Sequence, residues 1–336
     1  MLLVDALYVN NGGAKILLDY LILELNKSNL EVFYLLDNRI TDKYSQIHSK
    51  NVKYAKANFF KRHFFYLKNR HLFSKVLCFG NLPPNIKLKA EVFTYFHQAI
   101  YLNIPKEFSL MERLKFELKV AILKNISRNT NYWLVQTDFM KQRLNLKFNF
   151  ESEKIRIIPF YPQFKLIDYN IVREKLSYFY VSNANPHKNH RRLIDVFCKI
   201  YDKYKKGKLI LTVNDSFSDV LEILNQKIAQ GYPIENIGFV DRDTLQEKYL
   251  SSEFLVFPSL TESFGLGLIE AIECGCKVMA SDLAYVYEVC EPSLVFNPLN
   301  DKDIFSIFEK SLSNENIQPS ISKIENKISE LIYLLK

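Results

Sequence analysis

Glu262 and Glu270 stand eight residues apart in the segment TESFGLGLIE, with Phe264, Gly265 and Leu266 between them. A strand-like apolar run precedes the segment and a helical pattern begins near Gly265, so the free N–H groups at the start of a helix face the end of a strand. This end of a helix favours a phosphate, and glycine lets a ligand approach the backbone closely. Glu270 follows Gly265 by roughly 7.5 Å of helical rise, comparable to the distance from a diphosphate to its ribose.

This spacing suits a nucleotide. Glu270 would accept hydrogen bonds from a ribose diol, while Glu262 would reach the group beyond the diphosphate. The plain alternative is that Glu262 complements the helix N-terminus and Glu270 is solvated.

Other residues could take part in the same chemistry. Lys188 precedes a helical pattern in NPHKNHRRLIDVF, where its ammonium could neutralise a phosphate or simply be exposed. Gly12 and Gly13 lie between the first predicted strand and helix, but the pair is too short for a dinucleotide fingerprint. His97 lies at the carboxyl end of a predicted strand, although an isolated histidine among aromatic residues is more often a packed core residue.

The elements that position these residues alternate between strand-like apolar runs and helical patterns, which is typical of parallel sheets covered by helices. The first series includes a long amphipathic helix over about 107–127, and IRIIPFYPQF then forms a proline-rich hinge. The second series includes a strand at NIGFV, and the tail ISKIENKISELIYLLK predicts a final helix. We therefore predict an α/β fold of two facing Rossmann-like, doubly wound domains, residues 1–160 and 161–319, with a ligand in the cleft between them. The final helix, about 320–336, is expected to pack back on the first domain.

Composition excludes several classes of protein. No apolar run reaches the ~18 residues of a membrane-spanning helix, and MLLVDALYVNNGG lacks the basic start of a signal peptide, so a cytoplasmic location is expected. The five cysteines are scattered without a C-x-x-C pair, so neither a disulfide framework nor a zinc site is indicated.

The charge is concentrated in the first half of the chain. Residues 1–160 carry 25 Lys and Arg against 13 Asp and Glu, whereas 161–336 carry 20 against 24. The stretch KANFFKRHFFYLKNRHLF interleaves basic and aromatic residues, which suits an anionic membrane surface. A solvated basic face is the alternative, and the stretch lacks the RNP or zinc-finger signatures of a nucleic-acid-binding protein. The predicted membrane or acceptor patch consists of Lys61, Arg62, Phe64, Phe65, Lys68 and Arg70.

The segment VFPSLTESFGLGLIEAIECGCKVMASD closely resembles the E-x7-E signature of family 4 of the retaining, nucleotide-sugar-dependent glycosyltransferases. The resemblance is strong over about 178–310 and implies the GT-B fold of two Rossmann-like domains. It implies that Glu262 contacts the donor sugar, that Phe264, Gly265 and Leu266 offer backbone groups to sugar and diphosphate, and that Glu270 holds the ribose.

YVSNANPHKNHRRLIDVF resembles the family segment that usually reads as a Gly-Arg pair followed by a lysine. Lys188 fits the lysine, while Asn183 replaces the arginine, which puts the second phosphate contact in doubt. Gly12, Gly13 and His97 fit family positions that meet the donor.

The implied reaction transfers a hexosyl group from a nucleoside diphosphate sugar to a hydroxyl acceptor with retention, without a metal or other cofactor. The implied partners are the nucleotide-sugar donor, a lipid-linked saccharide acceptor and the inner face of the cytoplasmic membrane, as in O-antigen or capsule synthesis. A nucleotide-sugar epimerase or a non-catalytic GT-B partner subunit remains as an alternative.

Overall fold

The computed structural model describes residues 1–40, 44–105, 108–164, 171–313 and 316–336. These residues form two compact units: Met1–Pro162 with Glu325–Lys336, and Gln163–Ile324. The sequence predicted domains 1–160 with 320–336, and 161–319, so the two divisions differ by two residues at the first boundary and by five at the second. No helix in the described part of the chain is long and apolar enough to cross a membrane.

The first unit contains a parallel sheet. In the described residues its seven strands lie in the order β3-β2-β1-β4-β5-β6-β7. The central strands are largely apolar and buried, as expected for strands that are covered on both faces. The strands are β1 Leu2–Ala6, β2 Val32–Asp37, β3 Val52–Ala55, β4 Lys75–Cys78, β5 Glu91–Tyr95, β6 Tyr132–Val135 and β7 Ile155–Ile157.

Helices connect most of these strands. The helices are α1 Gly12–Lys27, α2 Phe59–Asn69, α3 Leu110–Ile126 and α4 Asp138–Phe148. Side chains fix their starts: the Asn58 side chain accepts from two backbone N–H groups at the start of α2, and Ser109 with Glu112 forms a capping box on α3. The predicted helix over 107–127 is therefore confirmed within the described residues, while its first residue lies outside them.

The second unit contains a second parallel sheet. Its six described strands lie in the order β10-β9-β8-β11-β12-β14, and β13 pairs antiparallel with β15 beside them. The strands are β8 Glu174–Tyr180, β9 Lys208–Leu211, β10 Ile234–Asn236, β11 Ser252–Phe257, β12 Lys277–Ser281, β13 Cys290–Glu291, β14 Leu294–Phe296 and β15 Ile321–Ser322. The helices are α5 His190–Tyr204, α6 Ser218–Ala229, α7 Arg242–Ser251, α8 Leu266–Glu273, α9 Ala284–Val289 and α10 Asp301–Ser313.

Two predicted elements differ from the structure. The predicted strand NIGFV starts at Asn236, whereas the observed strand β10 ends at that residue. The Asn236 side chain bonds the backbone of Val213, just after β9, and the turn to α7 begins after Asn236. The predicted tail helix is only α11, Ile328–Leu335, because Ile321–Ser322 pairs with Cys290–Glu291 as a strand instead. α11 packs against α1 of the first unit.

Candidate functional site

The order of strands in the second unit reverses between β8 and β11. From β8 the chain continues to β9 and β10 on one side, and from β11 it continues to β12 and β14 on the other. In open parallel sheets the connections at such a point diverge and leave a crevice outside the carboxyl ends of the strands, where ligands bind. The loops that follow β8 and β11 carry Lys188 and Glu262. Both predicted residues therefore lie at this switch point.

Lys188 and Glu262 contact each other. The Lys188 Nζ lies 2.5 Å from the Glu262 Oε1, although the two residues are 74 positions apart in the chain. Their side chains are 15% and 13% exposed, so the pair is largely shielded but remains open to a ligand. An ammonium and a carboxylate side by side offer donors for phosphate oxygens and an acceptor for sugar hydroxyls.

Buried hydrogen bonds hold the two loops together. The Tyr180 hydroxyl donates to the Lys188 carbonyl at 2.9 Å and contacts the Ser259 hydroxyl at 2.9 Å, while the Leu260 N–H donates to the His187 carbonyl at 2.8 Å. Burial lowers the pKa of His187 to about 4 and that of His190 to about 3, so both rings are neutral near pH 7. Lys188 is therefore the cationic group among these neighbours.

Helix α8 begins at Leu266, and Gly265, three positions after Glu262, is its N-cap residue. Gly265 has φ +75°, and a Cβ there would lie 2.9 Å from the Leu268 Cδ1, so the position requires glycine. Because the cap residue is glycine, no side chain caps the first N–H groups of α8, although the Leu268 N–H donates to the Gly265 carbonyl at 2.9 Å. Phe264 is buried and Leu266 is half-buried beside this helix start. The helix start that is predicted to bind phosphate thus has a glycine cap and no side-chain cap.

Glu270 is buried rather than solvated, so the alternative interpretation of this residue is wrong. Its side chain is 3% exposed. The Arg242 Nη1 donates to one carboxylate oxygen at 2.7 Å, and the Tyr249 hydroxyl donates to the other at 3.3 Å. Burial raises the pKa of Glu270, and the Arg242 guanidinium opposes this shift.

Arg242 and Tyr249 were not predicted from the sequence. They lie seven positions apart on α7, about two helical turns, and so face the same neighbour. The Arg242 guanidinium also lies over the Phe164 ring, 4.3 Å from its centroid. The two residues clamp the Glu270 carboxylate between them. An arginine and a tyrosine seven positions apart are the sequence signal for this clamp, but the pattern alone does not identify Glu270 as their partner.

The predicted residues of the first unit follow neighbouring strands. Gly12 and Gly13 come after β1, and His97 comes after β5, with β4 between these strands. Gly12 has φ +64°, and a Cβ added at Gly12 or Gly13 meets no atom within 4 Å. The space beside both glycines, in the connection from β1 to α1, is therefore open.

His97 is held by Asn81, which sequence reasoning missed. The His97 backbone N–H donates to the Asn81 Oδ1 at 2.7 Å, so the Asn81 amide nitrogen is the group that faces the His97 Nε2 at 3.3 Å. This assigns the ring proton to Nδ1, which has no partner among the described residues. Burial lowers the pKa of His97 to about 4, so the neutral ring can donate one hydrogen bond from Nδ1.

Residues 165–326 match the family model described as glycosyl transferases group 1. The second unit belongs to this family. The matched residues include Lys188, Glu262 and Glu270, and the match bears out the resemblance at the level of the family.

Curated relatives share parts of this chain. The serotype-specific mannosyltransferase WbdA of Escherichia coli is 28% identical over 236 residues, which are 64% of this chain and 27% of the relative. The O-antigen chain mannosyltransferase RfbU of Salmonella typhimurium is 25% identical over 231 residues, which are 67% of this chain and 61% of the relative. The chain thus spans less than two thirds of the length of these relatives.

Solved structures resemble this chain over most of its length. Sucrose-phosphate synthase from Thermosynechococcus elongatus gives a TM-score of 0.74 at 17% identity, covering 93% of this chain and 90% of that one. WaaG, a glycosyltransferase involved in lipopolysaccharide biosynthesis, gives 0.71 at 15% identity with the same coverage. These likenesses concern the fold, and they confirm the predicted GT-B class of two Rossmann-like α/β units.

Asn183, which stands where the glycosyltransferase pattern usually has arginine, is exposed and accepts from the Asn185 amide at 2.9 Å. The two nearby arginines are engaged with other acidic residues: Arg191 lies 3.5 Å from Asp219, and Arg192 lies 2.8 Å from Asp301. Neither arginine pairs with Glu262 in these contacts, so Lys188 is the basic residue held against that glutamate.

The predicted membrane or acceptor patch needs a correction. Arg62 is buried, because its guanidinium bonds Asp5 at 2.7 Å and the carbonyls of Leu82 and Pro83. Phe65 is buried in the core of the first unit. The prediction of a surface position is therefore wrong for these two residues. The other four, Lys61, Phe64, Lys68 and Arg70, are exposed.

Proposed function

We propose that the protein is a glycosyltransferase that moves a hexosyl group from a nucleoside diphosphate sugar to a hydroxyl group of a saccharide acceptor. The observation that carries this proposal is the contact between Lys188 and Glu262 at the switch point of a unit that belongs to the glycosyl transferases group 1 family. The ammonium and the carboxylate lie where parallel sheets bind ligands, beside the uncapped start of α8.

Lys188 is assigned to the diphosphate. Its ammonium has three N–H donors, of which the contact with Glu262 uses one, so further donors can bind phosphate oxygens. The negative charge on the leaving diphosphate grows as the glycosidic bond breaks, and a fixed cation stabilises it. Glu262 accepts from the donor sugar, and backbone groups at Phe264, Gly265 and Leu266 contact sugar and diphosphate.

Glu270 is assigned to the ribose. Each carboxylate oxygen has two lone pairs, so the bonds from Arg242 and Tyr249 leave acceptor capacity for a diol. Asn183, Gly12, Gly13 and His97 are proposed as further donor contacts in their own units.

We further propose that the anomeric configuration is retained and that no metal or other cofactor is needed. Lys188 supports the second part, because a fixed ammonium supplies positive charge to the diphosphate. Product stereochemistry by proton NMR tests retention, and an inverted product would contradict it. Activity that is lost in EDTA and restored by Mg²⁺ would contradict metal independence.

The proposed acceptor is a lipid-linked saccharide at the inner face of the cytoplasmic membrane, in the synthesis of a surface polysaccharide such as an O-antigen or capsule. The basic first half of the chain supports an anionic, membrane-bound partner. The names of the O-antigen mannosyltransferase relatives support the polysaccharide assignment.

The test is nucleotide release from a panel of UDP, GDP, ADP and dTDP sugars. Slow hydrolysis of one donor by the wild type is expected, with loss in Glu262→Gln and Glu270→Gln. Glu309→Gln is the matched control, because Glu309 pairs with Lys203 at the surface of α10. If the wild type neither binds nor hydrolyses any donor, the glycosyltransferase proposal fails.

A further inference from the structure

Helix α3 carries apolar side chains both toward the core and toward solvent. Leu123 and Ile126 pack into the first unit. On the solvent side, a row of large apolar side chains, most of them three or four residues apart, is between 37% and 78% exposed. The row consists of Leu110, Met111, Leu114, Leu118 and Ile122. Single exposed apolar residues are common, but a continuous row indicates a surface that binds something.

Basic residues flank this apolar row. At 100° per residue, Lys115 and Lys119 lie along one flank, and Arg113 and Lys124 lie along the other. The two acidic residues of the helix are Glu112, which is engaged in the capping box at Ser109, and Glu117, which lies on the same flank as Arg113 and Lys124. Apolar side chains between lysines are typical of a helix that lies in the boundary of an anionic bilayer, where the ammonium groups reach the headgroups.

Helix α2 repeats the arrangement on a smaller scale. Phe60, Phe64 and Leu67 are exposed on its outer side. Lys61 and Lys68 lie beside them and are exposed as well. These residues belong to the stretch between Asp42 and Glu91, which contains 11 Lys and Arg and no acidic residue.

The strand register places α2 and α3 on the same face of the sheet. Tyr66 of α2 packs with Val76 and Val92, which pair across β4 and β5. Thr94 lies on the same face as Val92, because it is two residues further along the strand, and it pairs with Trp133. Leu123 of α3 packs with Trp133, so both helices cover one face.

The chain between β4 and β5 runs between the two helices. The Asn85 amide bonds the Phe59 carbonyl at the start of α2, and the Lys87 ammonium bonds the Arg128 carbonyl just after α3, each at 3.4 Å. The exposed rows of α2 and α3 therefore belong to one layer of the first unit. We call this surface the α2–α3 face, defined by Phe60, Phe64, Leu67, Leu110, Met111, Leu114, Leu118 and Ile122 with their flanking lysines.

We propose that the α2–α3 face binds the surface of an anionic phospholipid bilayer, with its apolar row in the lipid boundary and its lysines on the phosphates. This rests on the proposed function in that a lipid-linked acceptor requires the enzyme at a membrane. Charge complementarity identifies the occupant. A second copy of the chain would bring the same lysines against each other, whereas anionic headgroups neutralise them.

Flotation of the full-length protein with vesicles tests the proposal. The wild type is expected to float with vesicles that contain phosphatidylglycerol, to float much less with pure phosphatidylcholine, and to bind more weakly as salt is raised. No flotation with anionic vesicles at low salt, or equal flotation with both lipids, would overturn the proposal.

Two pairs of variants separate the apolar and the charged contributions. Leu114→Ser with Leu118→Ser is expected to weaken vesicle binding about tenfold or more per leucine, because each loses the burial of an aliphatic side chain. The matched control is Leu23→Ser with Ile228→Ser, two exposed aliphatic residues on α1 and α6.

Lys115→Glu with Lys119→Glu should remove the preference for anionic lipid, whereas Lys175→Glu with Lys206→Glu, at exposed lysines of the second unit, should keep it. Equal binding by a test pair and its control would contradict the assignment.

Donor hydrolysis without vesicles, measured on the same samples, separates this proposal from the proposed function. The variants of the α2–α3 face should keep the wild-type rate and the wild-type circular dichroism, since none of these residues is assigned to the donor. Flotation of a wild-type protein that neither binds nor hydrolyses any donor would remove the proposed function and support the face. Hydrolysis without flotation would do the reverse. Self-association in sedimentation that disappears in the leucine variants would show a protein interface and overturn the bilayer proposal.

Discussion

Replacement of Arg242 by methionine tests the clamp on Glu270. Methionine keeps an apolar stem on the Phe164 ring but removes the charge that bonds the Glu270 carboxylate at 2.7 Å. A carboxyl group that is 3% exposed and has lost its cation will take up a proton rather than remain charged. The folded pKa of Glu270, already raised by burial, therefore rises further in the variant.

The size of the effect follows from proton linkage. In the unfolded chain Glu270 titrates near its ordinary pKa of 4.5. Keeping the carboxyl protonated at pH 7 then costs at most about 3 kcal/mol, whereas at pH 5 it costs less than about 1 kcal/mol. Because the folded pKa is raised, stability is lost as pH increases, and the variant should be much closer to the wild type at pH 5 than at pH 7.

Urea unfolding followed by circular dichroism measures this difference at both pH values. The single tryptophan, Trp133, lies in the first unit, so its fluorescence transition should not move. Arg192→Met is the matched control: Arg192 pairs with the half-exposed Asp301, and its loss should cost about 1 kcal/mol or less. Adding Glu270→Gln to Arg242→Met should remove the pH dependence. An equal loss of stability at pH 5 and pH 7 in Arg242→Met would refute the reasoning.

Three further predictions concern the second unit. Lys188→Met should lower the kcat of donor turnover roughly a hundredfold or more, because it removes the cation that stabilises the leaving diphosphate, and an unchanged kcat would contradict that role. Gly265→Ala should lower thermal stability by about 1–2 kcal/mol or more through its φ of +75° and its clash with Leu268; Gly12→Ala, with positive φ but open space, should cost less, and equal costs would exclude the clash. His190→Phe should reduce the loss of folding stability at acid pH. Because burial lowers the pKa of His190 from 6.5 to about 3, its unfolded form binds more protons below pH 6.5, and stability falls by about 2 kcal/mol between pH 7 and pH 5; an unchanged slope in denaturation midpoints would contradict this.

The sequence predicted the elements whose signal is local. β1 and β11 are short apolar runs between turns, and the start of α8 is marked by Gly265 after an apolar strand. Lys188 and Glu262 were predicted because each belongs to a short motif. Their direct contact was not predicted, since it depends on β8 and β11 being neighbours in the sheet.

Residues whose role depends on a distant partner were missed or misplaced. Arg62 was assigned to a surface patch because its neighbours in the sequence are basic and aromatic, yet its partner Asp5 lies 57 positions away on β1. Tyr66, one helical turn later, bonds the same carboxylate at 2.5 Å. A periodicity of 3.6 separates the inner and outer sides of α2 but does not say which side carries the buried arginine, because a paired cation can be buried and an apolar side chain can be exposed.

The spacing of eight residues between Glu262 and Glu270 has a physical reason in this fold. Glu262 lies before α8 on the loop after β11, at the switch point. Its carboxylate contacts Lys188 there and remains open to a ligand. Glu270 lies just over one turn into α8, which turns its side chain toward α7, where Arg242 and Tyr249 each donate to one of its oxygens. A change of one residue in the spacing would rotate Glu270 by about 100° away from α7 and leave a charged carboxylate without its clamp. The motif therefore couples an accessible carboxylate to a buried one through the geometry of a single helix start.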